Sequence, residues 1–143
     1  MTDKESYIRW QNIRITQFGF ANNLIIGLSI AQIGYIVNFI QSDNLVLNCL
    51  QKKLFWFGGG LSLVSIALGI FVVFNRLEDF RLTAKIAKNR ESNIIESLET
   101  DRNKSTKLGK KSWNAFIWQT STFIIGFLLL LIIILIELKS TIT

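Results

Sequence analysis

"IFVVFNRLEDFRLTAKIAK" occupies Ile70 to Lys88. Its first five residues suit lipid, and the rest, dense in Arg, Lys, Glu and Asp, suit water. Nothing between them breaks a helix. Between Gly69 and Gly109 the chain has neither glycine nor proline, and proline is absent from all 143 residues. Arg, Leu, Glu, Lys and Ala, all good helix formers, dominate the passage. The stretch therefore predicts one helix that begins near Leu54, crosses an apolar phase, and continues into water without a turn. At about 1.5 Å per residue, the part from Asn75 to Leu98 would project roughly 35 Å.

Composition agrees with a chain divided between lipid and water. Half of the residues are hydrophobic, yet the formal net charge is +6. A small soluble domain does not combine these values easily, whereas a membrane protein keeps its charges in the flanks of its spans. Three stretches have the roughly 20 mostly apolar residues that a bilayer requires: 18–40, 54–74 and 115–136. The first contains Asn22, Asn23, Gln32 and Asn38 and is the least hydrophobic. Its length, and the lack of a small-residue cleavage pattern after it, argue against a secretory signal peptide. The predicted fold class is an all-α integral membrane protein, one membrane domain with three transmembrane helices and helical cytoplasmic extensions.

The basic residues set the expected orientation. Ten of them fall in the second connection, from Arg76 to Lys111. Lys4, Arg9 and Arg14 precede the first span, Lys52 and Lys53 lie in the first connection, and Lys139 is alone in the tail. Basic segments remain on the cytoplasmic side. The N-terminus and a helical hairpin over 75–111 are thus expected in the cytoplasm, with Cys49 and Thr143 on the far side. A two-span hairpin with a buried first segment is the competing topology. "DRNKSTKLG", Asp101 to Gly109, is the most polar part of the hairpin and is read as its reversal. Phe80, Ala84, Ala87, Ile94 and Leu98 form an apolar stripe on the projecting helix, interrupted by Glu91. "YIRWQNIRITQ" leads into the first span with Tyr7, Trp10, Ile13 and Phe20 near one face. Trp113 and Trp118 suit a headgroup belt, with Lys110 and Lys111 as anchors.

Small residues at helical spacing are candidates for helix packing, because lipid competes with protein for large apolar side chains. Gly58 and Ser62, and Ser65 and Gly69, form four-residue steps; Gly27 and Gly34 are seven apart with Ala31 between them. They join the spans of one subunit or join copies in a homo-oligomer. Asn22, Ser29, Gln32 and Asn38 are candidates for a polar lining. Arg81, Lys85 and Lys88 share one side of the projecting helix and are candidates for contact with lipid headgroups, a partner or an anionic ligand. Glu78 and Asp79, beside Arg76 and Arg81, are read as local ion pairs.

Chemistry is largely excluded. No Asp, Glu, Lys, Arg or His lies inside a predicted span, and the chain has no histidine. The lone Cys49 has no histidine to activate it, and "GGG" is not followed by the Lys-Ser or Lys-Thr of a phosphate loop. No catalytic residue, metal site or cofactor is expected, and no nucleic-acid duplex as partner. The expected partners are the bilayer and either further copies or another protein, with a nucleotide ligand left open.

The passage from "LGIFVVF" into "NRLEDFRLTAKIAKNR" resembles the small multi-pass membrane effectors of bacterial antiviral defence, including the family of transmembrane effectors associated with SMODS and SLOG domains. The resemblance is one of architecture over about a third of the chain. This sequence adds a third span after the hairpin, and no site residue is carried over. It implies a bacterial inner membrane and a protein that damages or depolarises that membrane when triggered. The function expected is therefore a non-enzymatic oligomeric membrane effector or pore-type component controlled through its cytoplasmic hairpin. An accessory or anchoring subunit of a larger membrane complex is the alternative.

Overall fold

The computed structural model describes residues 3–41, 48–91 and 98–142, with side chains described over 9–41, 48–90 and 98–136. It is all-helical: α1 spans Asp3–Ile40, α2 Cys49–Glu91 and α3 Leu98–Ile142. Each helix is long and apolar enough to cross a membrane, with mean hydropathy 1.7, 2.2 and 2.5 in their most apolar windows. Their lengths of 38, 43 and 45 residues correspond to roughly 57, 65 and 68 Å at 1.5 Å per residue. A bilayer's hydrocarbon core takes about 30 Å of that, so α2 and α3 each extend well beyond any span.

Local chemistry explains the helix ends. Asn48 precedes α2, and its backbone N–H donates to Gln51 Oε1 at 2.7 Å. That is the return half of a capping box, in which the third helical residue satisfies the N-cap amide. It starts α2 at Cys49, five residues before the expected Leu54. Lys88 and Arg90 occupy its last turn, and Glu99 and Asp101 the first turn of α3. Each pair has the sign that the helix dipole favours.

The reversal is not where it was expected. Asp101–Gly109 is helical throughout, and the connection between α2 and α3 falls within 92–97, outside the described residues. Ile94, part of the expected stripe, falls there too. Asp101, Lys104 and Ser105 of "DRNKSTKLG" engage a partner helix instead of forming a turn. Lys85 Nζ reaches Asp101 Oδ2 at 3.0 Å, the Ser105 hydroxyl donates to Asp79 Oδ1, and Lys104 pairs with Glu78 at 3.1 Å. Asp79 also meets Arg76 at 3.6 Å within its own helix.

Along all three helices a series of inward positions repeats by steps of three and four. In α3 one such series of buried or half-buried residues is 101, 105, 108, 112, 115, 119, 122, 126, 130 and 133, flanked by half-buried neighbours such as Phe116 and Phe123. In α2 the corresponding series is Phe55, Gly58, Ser62, Ser65, Gly69 and Val72, then Asn75, Asp79 and Leu82; in α1 it is Ile15, Phe18, Asn22, Ile25, Ser29, Gln32, Ile36 and Phe39. This is the seven-residue repeat of supercoiled helices, written largely in small and polar residues. α2 and α3 pack antiparallel along most of their length, and α1 lies mainly against α2. At one end Ile36, Phe55, Leu130 and Ile133 form an apolar cluster. The expected stripe is corrected: none of Phe80, Ala84 and Ala87 is buried, and Leu82 is the buried residue of that segment. Apolarity marked the wrong face because the facing residues there are charged or hydroxylated.

The α2 and α3 backbones approach each other closely at two glycines. A Cβ on Gly126 would stand 3.1 Å from the Gly58 carbonyl oxygen, and one on Gly58 would stand 3.1 Å from Leu130 Cγ. The obstacle to Gly126 is backbone, which cannot rotate away. Gly126→Leu is therefore expected to destabilise the pair by about 1–3 kcal/mol, the usual cost of overpacking. Gly60→Leu, at an exposed position of α2 with nothing within 4 Å of an added Cβ, should leave thermal melting in detergent unchanged. Equal melting of the two variants would refute the close approach.

Candidate functional site

Two places combine elements from all three helices. The first is a layer of buried polar side chains halfway along the apolar lengths. Asn22, Ser29, Ser62, Ser65 and Gln119 are each at most 2% exposed, and Gln32 is 8%. Asn22 Nδ2 donates to the Gly69 carbonyl at 3.4 Å, and Gln119 Nε2 to the Asn22 carbonyl at 3.5 Å. The Ser29 hydroxyl is shared between the Ile25 carbonyl of its own helix at 2.8 Å and Ser65 Oγ at 3.2 Å, and Ser65 Oγ donates to the Gln119 carbonyl at 3.1 Å. The Asn22 and serine bonds run from α1 to α2 and from α2 to α3, and Gln119 returns from α3 to α1. Ser62 closes on its own helix at Gly58 O, 3.0 Å away. The seat of the layer is Gly69, where a Cβ would fall 2.5 Å from Gln119 Nε2 and 2.6 Å from Ile26 Cγ1.

The expected packing residues divide into two groups. Gly58, Ser62, Ser65 and Gly69 all lie in the α2–α3 seam. Gly27 and Gly34 do not join the helices of this chain: both are exposed, with nothing within 4 Å of an added Cβ. Their spacing identifies a true face of α1, but it is the outward one. The polar candidates divide likewise. Asn22, Ser29 and Gln32 are interior, the first two engaged in cross-helix bonds rather than lining a passage, while Asn38 is exposed on the outer side. The basic trio also separates: Lys85 is tied to Asp101, whereas Arg81 and Lys88 remain exposed on the extension. Sequence reasoning missed Gln119, Ser112 and Asp101. The three-four rhythm of α3 passes through all of them and was the available signal.

The second place is a cleft of about 920 Å³ where the apolar lengths give way to the extension. α1 contributes Trp10, Arg14 and Phe18, α2 contributes Arg76 and Phe80, and α3 contributes Trp113. Phe18 anchors the junction. Its ring lies 4.9 Å from that of Phe116 and 6.1 Å from that of Trp113, and the Arg76 guanidinium sits over it at 4.7 Å. Such contacts add about 0.5–1.5 kcal/mol each to simple burial.

Among the described residues no three His, Cys, Asp or Glu side chains gather as they would around a metal ion. Comparison of the chain with protein-family models, with curated proteins and with solved structures finds no match in any of the three. The geometry alone thus carries the functional argument.

The Lys85–Asp101 pair has unequal partners: the lysine side chain is 54% exposed and the aspartate 11%. Water resolvates Lys85 if Asp101 is removed, but Asp101 keeps little solvent if Lys85 is removed. Lys85→Met is therefore expected to cost about 1–2 kcal/mol of hairpin stability, and Asp101→Leu less. The double variant should be more stable than the two losses added together. Hydrogen exchange over 98–108 checks this ordering, and additive losses would exclude a direct pair.

Proposed function

We propose that the chain is a three-span membrane protein and a non-enzymatic effector of membrane integrity. Its N-terminus and hairpin lie in the cytoplasm, its C-terminus on the far side, and its spans respond to events at the hairpin. The observation that carries this reading is the unbroken run of α2 and α3. The same two helices that hold the polar layer continue, still paired through Asp79–Ser105 and Lys85–Asp101, into the charged extension. Two antiparallel helices held along their whole length move as one body, so a load at the extension changes the tilt of the spans. A membrane anchor has no use for such an extension. The crowding of basic residues at that end supports the cytoplasmic assignment, and the architectural resemblance to antiviral membrane effectors supports a bacterial inner membrane.

Self-association belongs to the same reading. Asn23, Gly27, Ala31, Gly34 and Asn38 share the outward face of α1 and are all exposed. Two amides among small residues are poor neighbours for lipid tails and good neighbours for another helix, where they find hydrogen-bond partners worth about 1 kcal/mol each. A second copy presenting the same face satisfies both.

The test joins the two halves. Leu77→Pro removes a helical hydrogen bond at the junction of span and extension. Wild-type protein expressed in bacteria should depolarise the membrane, and Leu77→Pro should insert equally well but fail to depolarise. Gly27→Leu with Gly34→Leu should abolish crosslinked oligomers and depolarisation together. A wild type that leaves membrane potential intact and purifies at fixed stoichiometry with one other membrane protein would overturn the effector reading in favour of an accessory subunit.

A further inference from the structure

The junction cleft has features that neither packing nor coupling uses. Arg14 is exposed and has no ion-pair partner among the described residues. Arg76 shares one nitrogen with Asp79 at 3.6 Å, which leaves most of its five N–H donors unused. Asp79 is itself met by the Ser105 hydroxyl, so the unmatched charge of the cleft is positive. Ser112 is 2% exposed, lines the cleft, and its hydroxyl has no hydrogen-bond partner. A buried hydroxyl without a partner is destabilising, so the site favours an occupant that accepts from it. The space is on the order of thirty water volumes, far more than one bridging water would need.

A second cleft of about 200 Å³ adjoins the first and shares Ile15, Phe18, Arg76 and Phe80 with it. It continues between α1 and α2 over Gly19, Val72 and Val73, toward the apolar lengths of the helices. A Cβ on Gly19 would meet nothing within 4 Å, so the groove is open there. The two clefts together have a cationic, hydroxyl-bearing head and an apolar tail. Trp10 and Trp113, both more than half exposed, stand at the mouth of the head, where aromatic residues mark the headgroup level of a bilayer.

We propose that the joined clefts bind one anionic phospholipid. Its phosphate sits between Arg14 and Arg76, Ser112 donates to a headgroup or ester oxygen, and an acyl chain follows Phe18 and Gly19 down to Val72 and Val73. A soluble phosphate compound would use the head alone and leave the tail groove without an occupant. The proposal rests on the membrane placement in the preceding reading, and it is independent of self-association and of any effect on membrane potential.

The test uses full-length protein in vesicles that mix phosphatidylglycerol with phosphatidylcholine. Lipid retained per chain after extraction into mild detergent is counted by native mass spectrometry. Wild type should retain one phosphatidylglycerol in preference to phosphatidylcholine. Arg14→Gln, at an exposed and unpaired position, should weaken that preference about tenfold, as the loss of a charge-assisted hydrogen bond does. Arg14→Lys should restore much of it. Gly19→Leu fills the tail groove without touching a charge and should also abolish retention, while thermal melting of all three variants matches wild type. Retention unchanged in both Arg14→Gln and Gly19→Leu would overturn the site. Binding of inorganic phosphate that is lost in Arg14→Gln but untouched by Gly19→Leu would overturn the lipid as occupant and leave a soluble anion in its place.

Discussion

The close approach of α2 and α3 at Gly58 and Gly126 governs the register of everything that follows along the pair. With the Gly58 carbonyl only 3.1 Å from where a Gly126 Cβ would be, the helices have no freedom to slide by a residue. That register puts the Ser65 hydroxyl against the Gln119 carbonyl, Asp79 against Ser105 and Lys85 against Asp101. Lipid tails are as apolar as Leu, so large side chains gain little by leaving them for a neighbouring helix. Backbone proximity, with its many weak dispersion contacts, supplies the attraction instead. The outer surface shows the complement, with Trp56, Phe57, Leu63, Phe74 and Leu128 all facing away from the seam.

The polar layer does different work from the glycines. Each interhelical hydrogen bond in a bilayer is worth about 0.6–1.7 kcal/mol, and several atoms of the layer have no partner. Asn22 Oδ1, Gln119 Oε1 and both amide atoms of Gln32 are of this kind. A layer with unspent donors and acceptors contributes little net stability. Its value lies in specificity: Asn22 against Gly69 and Ser29 against Ser65 admit one rotation of α1, where an apolar face would accept several. Beyond the apolar lengths, hydroxyls and ion pairs take over the same seam.

Much of this was legible in the sequence, and the failures share one cause. Three long apolar helices, helix continuity through Ile70–Lys88 and the packing face of α2 follow from apolarity, absent breakers and four-residue steps. The reversal was misplaced onto Asp101–Gly109, and the stripe onto Phe80, Ala84 and Ala87, because both readings equated the inward face with the apolar one. Along the α2–α3 pair the inward face is small and polar, while the large apolar side chains of that segment stay exposed. Gly27 and Gly34 illustrate a second limit. Spacing shows that residues share a face, but whether that face meets a neighbour depends on contacts tens of residues away. The junction cleft is the extreme case, since Arg14, Arg76 and Ser112 converge only after all three helices are placed.

The polar layer also bears on how such a chain would be made. α1 comes first in chain order and has the lowest mean hydropathy, 1.7 against 2.5 for α3. Yet its partners come late: Ser65 lies 36 residues beyond Ser29, Gly69 lies 47 beyond Asn22, and Gln119 lies 97 beyond Asn22. If α1 enters a bilayer as it is synthesised, its amides must be held by water, by headgroups or by the insertion machinery until α3 emerges. Birth order and consolidation order are then opposed: the oldest helix is the last to be secured. The third span, the most apolar, needs no such custody, and its arrival completes the seating of the first.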